Sequence, residues 1–185
     1  MNHLAAEFRS ELLGEGRITG HAAVFGRFAR IGDHLETITP GAFDRALQER
    51  HDVLLTVGHD DDKVLARTKA GTLQLRTDAV GLAFEAVLPD TTLGRDVRTS
   101  VTRGDIDSMS FAFTIRADQW TRGDDGHRIH SITDLDLYDV SIVGRPAYDG
   151  TDVRLRHRDA YVLDPAPGHR PRLIRAKARL LLTGV

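Results

Sequence analysis

The sequence contains no cysteine among its 185 residues, and this absence excludes several kinds of chemistry. There can be no disulfide framework, no thiolate nucleophile and no zinc site built on cysteine. The absence of disulfides also fits a reducing cytoplasm. Cysteine chemistry is therefore excluded outright.

Long apolar runs are missing as well. No run approaches the roughly 20 apolar residues that a helix needs to cross a bilayer. The first seven residues also lack the basic segment followed by an apolar one that marks a secretory signal. We therefore expect neither membrane insertion nor secretion.

The chain also lacks a strong excess of charge, with a net charge of −2 and 41% hydrophobic residues. This composition predicts one compact domain with a real core, and not a protein that binds nucleic acid directly. We place the domain at residues 1–160. Residues 161–185 form a basic tail, with five basic and no acidic residues after position 165. We expect this tail to be disordered or helical, and it is a candidate for removal by self-cleavage.

Strand patterns outnumber helix patterns along the chain. A capping Thr39 before Pro40 predicts a short helix to about Arg50, and apolar residues spaced by four before Gly104 predict a second helix. Strands are predicted at 18–25, 53–57, 72–76, 81–87, 108–115, 128–132 and 135–143. Helices and strands do not alternate regularly, which indicates an α+β, mainly β fold with a mainly antiparallel, closed or half-closed sheet and helices outside it.

Of the nine histidines, only His59 follows a strongly apolar strand and precedes an acidic cluster. Imidazole titrates near neutral pH, so His59 is a candidate general base for a hydroxyl nucleophile. Two other interpretations stay open. The segment from His59 to Asp62 can be a solvated turn, or its carboxylates can bind a hard cation.

Ser110 is the candidate nucleophile. It lies on the less bulky face of an apolar strand, where large residues occupy the other face, and a nucleophile needs such rigid support. A serine in a strand is, however, often only a structural residue that bonds to the backbone. The chain has no Gly-x-Ser-x-Gly motif, so the common α/β-hydrolase fold receives no support.

Asp139 and Asp136 lie within an apolar strand, where a carboxylate requires a partner. Orienting a histidine is one such use, and a structural salt bridge is another. By alternation along the strand, we expect Asp139 and Ser141 to share a face with Leu135, Leu137 and Val143. We expect Asp136, near the strand start, to be exposed, and we therefore favour Asp139 as the partner of a histidine.

Taken together, these motifs resemble the prohead proteases of tailed phages and related gene transfer agents. The likeness runs from about Gly20 to Thr151. It rests on the order of segments at 20–25, 36–43, 54–60, 71–73, 81–86, 88–91, 94–97, 103–106, 109–111, 139–141 and 146–148. The family is similar to the herpesvirus assemblins, which implies a β-barrel core surrounded by helices.

The resemblance implies a catalytic triad of His59, Ser110 and Asp139, with no cofactor and no metal. Many members have glutamate where Asp139 stands and glycine where Ala66 stands. Relatives also often show Thr-Asn-Pro where this chain has Gly144-Arg145-Pro146, and backbone amides near Gly144 and Arg145 are candidates for the oxyanion hole.

The implied activity is that of a serine endopeptidase of capsid maturation. Its substrates would be the scaffolding protein, or a scaffold-like segment of the major capsid protein, and the protease itself. It would act in the bacterial host cytoplasm, inside the assembling procapsid, where self-association is a further expectation. Two alternatives remain: an assembly factor of the same fold without catalysis, and a metal-dependent hydrolase.

Overall fold

The computed structural model describes residues 16–124 and 126–144. Strands account for 55% of these residues and helices for 13%, which confirms an α+β, mainly β fold. The strands form one sheet of three strands and one of six. A closed or half-closed sheet was expected, and neither sheet closes on itself within the described residues, so the closed form is wrong. Both sheets instead end in edge strands.

The elements follow one another in the chain with strands at both ends and two helices between them. They are β1 (Arg17–Val24), β2 (Ala29–Ile31), β3 (His34–Ile38), α1 (Asp44–Gln48), β4 (Leu54–Val57), β5 (Asp60–Arg67), β6 (Leu73–Thr77), β7 (Gly81–Val87), α2 (Thr92–Arg103), β8 (Ser108–Arg122) and β9 (Arg128–Val143).

The smaller sheet has the order β1-β7-β6, and all its pairings are antiparallel. Alternating residues on both sides of a turn predicted a hairpin here, and the antiparallel pairing of β6 and β7 confirms it. Asp78 fixes this turn, because its Oδ1 accepts hydrogen bonds from the backbone N–H groups of Val80 and Gly81. His21 of β1 reaches the same carboxylate at 2.9 Å, which ties the turn to the neighbouring strand.

The larger sheet is organised around β9, a single strand of 16 residues where two shorter strands were predicted. Strand β8 pairs with one edge of β9 along its length, and only the other edge of β9 is left for further strands. Strands β3 and β4 share that edge end to end, and both run parallel to β9. The sheet is therefore mainly antiparallel, as expected, with two parallel pairings at its centre.

One helix agrees with its prediction and the other begins later. Helix α2 has the capping Thr91 and the left-handed Gly104 typical of helix ends. Helix α1, in contrast, begins at Asp44 and not at Pro40. The predicted cap Thr39 is used elsewhere, because its backbone N–H and its hydroxyl both donate to the carbonyl of Ile132.

Buried side chains from both sheets and from the helices form one continuous core. Its most deeply buried members include Ile18 and Leu82 of the smaller sheet and Leu55 and Val140 of the larger one. Phe43, just before α1, is also fully buried and packs edge-on against the ring of Phe111. The core thus supports β4 and β9 from one side, and polar residues on these strands face the other side.

The predicted domain boundary at residue 160 and the basic tail lie outside the described residues. Among the described residues, no helix is long and apolar enough to cross a membrane.

The carboxylate of Asp78 gives the fold a measurable pH dependence. Burial raises the pKa of Asp78, but hydrogen bonds from His21 and from two backbone N–H groups outweigh this effect and lower the pKa to about 2. The ordinary value is 3.8. The charged carboxylate therefore stabilises the fold above about pH 4, and this stabilisation is lost as the pH falls toward 2.

We expect Asp78→Asn, which cannot titrate, to lose less stability than the native chain between about pH 4 and pH 2. As the pH falls across this window, the difference in free energy of unfolding between the native chain and Asp78→Asn should shrink by up to roughly 2 kcal/mol. Urea unfolding at a series of pH values measures this difference. Asp90→Asn, at an exposed carboxylate, is the control. If the native chain and Asp78→Asn have the same pH dependence, the assignment is wrong.

Candidate active site

His59 lies in a two-residue turn that connects β4 to β5. Val57 and Asp60 pair across the turn, and both central residues, Gly58 and His59, have positive φ angles of 65° and 58°. Two positive φ angles are typical of a type I′ hairpin turn. A side chain in the left-handed region costs on the order of 1 kcal/mol. The contacts of His59 must therefore hold it there.

Two hydrogen bonds hold His59 in place. Its Nδ1 atom lies 2.8 Å from Oδ1 of Asp139, and its backbone N–H donates to Oγ of Ser141 at 2.8 Å. A carboxylate only accepts, so Nδ1 donates in this contact, and in a neutral imidazole Nε2 is then the nitrogen with a lone pair. The imidazole is 29% exposed and the Asp139 side chain 5%, so the base can meet a substrate while its partner is protected from water.

A β-bulge at Tyr138 changes which side chains of β9 share a face. Ala112 of β8 lies opposite Asp139, whereas the next residue, Phe113, lies opposite Leu137. Tyr138 is therefore an extra residue in β9, and the alternation of side chains is interrupted there. The bulge directs Asp139 away from the core face of the sheet.

This bulge overturns an expectation from simple alternation. Asp139 and Ser141 were expected on one face with Leu135, Leu137 and Val143. Directly paired residues lie on the same face, so Leu135 and Leu137 belong to the core face, and only Val143 remains with the polar pair. Regular alternation across residue 138 was the wrong assumption.

Ser141 is a fully buried hydroxyl at the centre of the site. Its Oγ accepts hydrogen bonds from the backbone N–H of His59 at 2.8 Å and from Oγ1 of Thr56 at 3.1 Å. It donates to the carbonyl oxygen of Thr56 at 3.3 Å. One donor and two acceptor positions are thus all used, which fixes the hairpin of His59 against β9.

Ser110 is the direct partner of Ser141 across the β8 and β9 pair, and it is 8% exposed. Paired residues share a face, so Ser110 lies on the same side of the sheet as Ser141 and Asp139. His59 covers Ser141 from the adjoining hairpin. The structure therefore brings all three predicted site residues around Ser141. No hydrogen bond among the described residues joins Ser110 to His59, and such contacts are often long before substrate binds.

Asp136 has a different environment from the one expected. It is 7% exposed, and so the expectation of an exposed carboxylate is wrong. The bulge turns it to the polar face, where it contacts Arg45 at 2.7 Å and Arg116 at 2.5 Å. Burial raises the pKa of Asp136, but the hydrogen bonds from both arginines outweigh this effect and lower its pKa. Asp136 forms a structural salt bridge, and Asp139 is the carboxylate at His59.

The acidic residues after His59 belong to the start of β5. Oδ1 of Asp60 accepts the backbone N–H of Asp62 at 3.0 Å, and Oδ2 lies 3.2 Å from Lys63. Within the described part of the chain, the only cluster of three or more His, Asp or Glu side chains close enough to share an ion lies elsewhere. Of the two candidate oxyanion residues, Gly144 is described and Arg145 lies outside the described residues.

Sequence patterns missed two parts of the site. Thr56 lies in a short apolar strand, and its hydroxyl carries no motif signal. Ser141 was noticed only as a neighbour of Asp139, although a serine in a strand with both faces buried is itself a sign of an internal hydrogen-bond network. The bulge at Tyr138 has no glycine or proline to mark it.

Comparison with protein families gives one match. The model of the caudovirus prohead serine protease family matches residues 5–163 of the chain. Comparison with curated proteins and with solved structures gives no match.

Replacing Ser141 tests its position at the centre of the site. Ser141→Ala leaves the backbone N–H of His59 and the hydroxyl of Thr56 without their acceptor, and both groups are held in place by it. We expect the free energy of unfolding to fall by about 1–3 kcal/mol. Urea unfolding measures the change. Ser108→Ala removes a hydroxyl that bonds to Asp107 at the surface, and should change stability by less than about 0.5 kcal/mol. Equal effects of the two variants would contradict the assignment.

Proposed function

The chain belongs to the caudovirus prohead serine protease family, and from this premise we propose that it is a serine endopeptidase of phage capsid maturation. Ser110 is the nucleophile, His59 the general base and Asp139 the residue that orients the imidazole. The observation that carries the proposal is the arrangement of the three residues around Ser141, with His59 Nδ1 at 2.8 Å from Asp139.

The proposed reaction proceeds in two stages. Oγ of Ser110 attacks the carbonyl carbon of the scissile peptide bond, and Nε2 of His59 takes the hydroxyl proton. His59 then gives this proton to the leaving amine as the carbon–nitrogen bond breaks. In the second stage, water attacks the acyl-enzyme, His59 takes a proton from the water and returns one to Ser110, and the acid product leaves.

Asp139 has two effects in this scheme. Its carboxylate accepts the Nδ1 proton of His59, which fixes the tautomer that leaves Nε2 as the base. Its negative charge also stabilises the imidazolium that forms when His59 takes the proton. Because its side chain is almost fully buried, water screens this interaction little.

The support given to Ser110 fits the role of a nucleophile. Its neighbours Met109 and Phe111 are anchored in the core, and the ring of Phe111 packs against Phe43 and Phe113. The backbone of Ser110 is therefore held rigidly while the hydroxyl faces the polar side of the sheet. Rigid support of this kind keeps a nucleophile at the distance at which a bound substrate can react.

We propose that the substrates are the scaffolding protein, or a scaffold-like segment of the major capsid protein, and the protease itself. The oxyanion of the intermediate is assigned to backbone N–H groups near Gly144 and Arg145. Cleavage would take place inside the assembling procapsid, within the bacterial host. A high local concentration there favours self-association that dilute solution does not.

Co-expression with the cognate capsid and scaffold proteins tests the proposal. We expect the native chain to produce cleaved capsid or scaffold fragments, and Ser110→Ala and His59→Ala to produce none. Asp139→Asn should reduce the cleavage rate about 100-fold or more, because the amide has no negative charge and its NH2 group can donate to Nδ1, which favours the wrong tautomer of His59. Intact-mass spectrometry measures each product and also reveals whether the basic tail is removed from the protease.

Ser108→Ala is the matched control, since it removes a hydroxyl two residues away on the same strand at the surface. It should cleave as the native chain does. If every variant gives the same masses while shells still assemble, the protein is an assembly factor without catalysis. If chelator abolishes cleavage and Ser110→Ala does not, the protein is a metal-dependent hydrolase.

A further inference from the structure

A second cluster of side chains capable of chemistry lies at the other end of β9. His34 and Glu36 are two residues apart on β3, and Glu36 is the direct partner of His130 on β9. One donor atom from each of the three side chains lies within 4.8 Å of the others. His130 and Asp139 are nine positions apart on β9, or about 30 Å along an extended strand. This cluster is therefore remote from the proposed triad.

The three side chains are well protected from water. The side chain of Glu36 is 4% exposed, that of His130 8% and that of His34 17%. Two imidazoles and one carboxylate form a ligand set that proteins use to bind zinc. The partial exposure of His34 leaves an approach to the cluster from the surface.

Each histidine also has a carboxylate behind its ring. Nε2 of His130 lies 2.6 Å from Oδ2 of Asp118, and Nδ1 of His34 lies 3.3 Å from Oδ1 of Asp33. Histidines that bind metals usually donate their second ring N–H to such a carboxylate, which fixes the tautomer and the ring orientation. The second nitrogen of each ring, Nε2 of His34 and Nδ1 of His130, is then the one that can bind a metal, and Nδ1 of His130 contacts Oε2 of the proposed co-ligand Glu36 at 3.1 Å.

We propose that His34, Glu36 and His130 bind one divalent transition-metal ion of the zinc type. Nε2 of His34, a carboxylate oxygen of Glu36 and Nδ1 of His130 are its protein ligands, and water takes the fourth position. Ligand atoms of a tetrahedral zinc site lie about 3.3 Å apart, so small side-chain rotations suffice. In this arrangement Nε2 of His130 keeps its contact with Asp118 while Nδ1 binds the ion.

The ion would stabilise the region where the β8 and β9 hairpin meets β3. It links two strands that are far apart in sequence, and no step of the proposed proteolysis involves it. Trp120 lies beside the site, because its ring stacks on that of His130 with the ring centroids 4.3 Å apart. The guanidinium carbon of Arg128 lies 4.4 Å from the centroid of the Trp120 ring. Trp120 is the only tryptophan in the chain, so its fluorescence reports on this site alone.

Titration of the full chain, first freed of metal with chelator, tests the proposal. Ni²⁺ quenches tryptophan fluorescence at short range, and we expect saturable quenching at one equivalent that Zn²⁺ reverses by competition. Zn²⁺ alone should raise the melting temperature. Calorimetric titration with Zn²⁺ should give one site, and Asp118→Asn should weaken its affinity about 10-fold to 100-fold.

His34→Gln and Glu36→Gln should each weaken Zn²⁺ binding at least tenfold. His51→Ala is the matched control, because His51 also contacts a carboxylate, that of Glu49, away from the cluster. It should bind as the native chain does. If the native chain shows no quenching, or if His34→Gln and His51→Ala bind equally, the cluster is an ion-pair network only. His34→Gln decides the matter if Glu36→Gln fails to fold, because His34 is the most exposed ligand.

Discussion

The hydrogen bond between the backbone N–H of His59 and the hydroxyl of Ser141 is the interaction on which the rest of the site depends. It joins a hairpin turn with an unfavourable backbone to a buried residue of the central strand. Because Ser141 also bonds to Thr56, the strand before the turn is fixed at the same point. These contacts hold the imidazole close to the orientation in which it bonds to Asp139. The cost of a left-handed His59 is offset by these contacts, and strain of this kind is typical of functional sites.

Strand β9 carries both clusters of chemical interest. At its C-terminal end, the bulge at Tyr138 places Asp139 and Ser141 on the polar face of the sheet, the face that Ser110 of the neighbouring strand β8 also shares. At its N-terminal end, His130 lies between two carboxylates. Because β9 has partners on both edges, the sheet holds every residue of the two clusters except His59, which comes from the turn between β4 and β5. The proposed proteolysis and the proposed metal site thus use one rigid element at separate positions.

Local patterns in the sequence were sufficient for much of the fold. The hairpin of β6 and β7, helix α2 and the position of His59 just after β4 are confirmed, because each depends on nearby residues. The closed form of the expected closed or half-closed sheet, the start of α1 and the faces of β9 were predicted wrongly, since pairing between distant strands decides them. The three site residues could be proposed from their motifs and their likeness to a family. The roles of Thr56 and Ser141 could not, because they arise only when β4 and β9 pair in one register.

The central claim is that Ser110 is a nucleophile activated by His59, and a fluorophosphonate probe tests it without any knowledge of the substrate. The mass of the native chain should increase by that of one bound probe molecule, and peptide mapping should locate the probe on Ser110. His59→Ala, in which Ser110 is intact but its base is missing, should react at least about 100-fold more slowly. Labelling of a different residue, or labelling of His59→Ala at the native rate, would contradict the account.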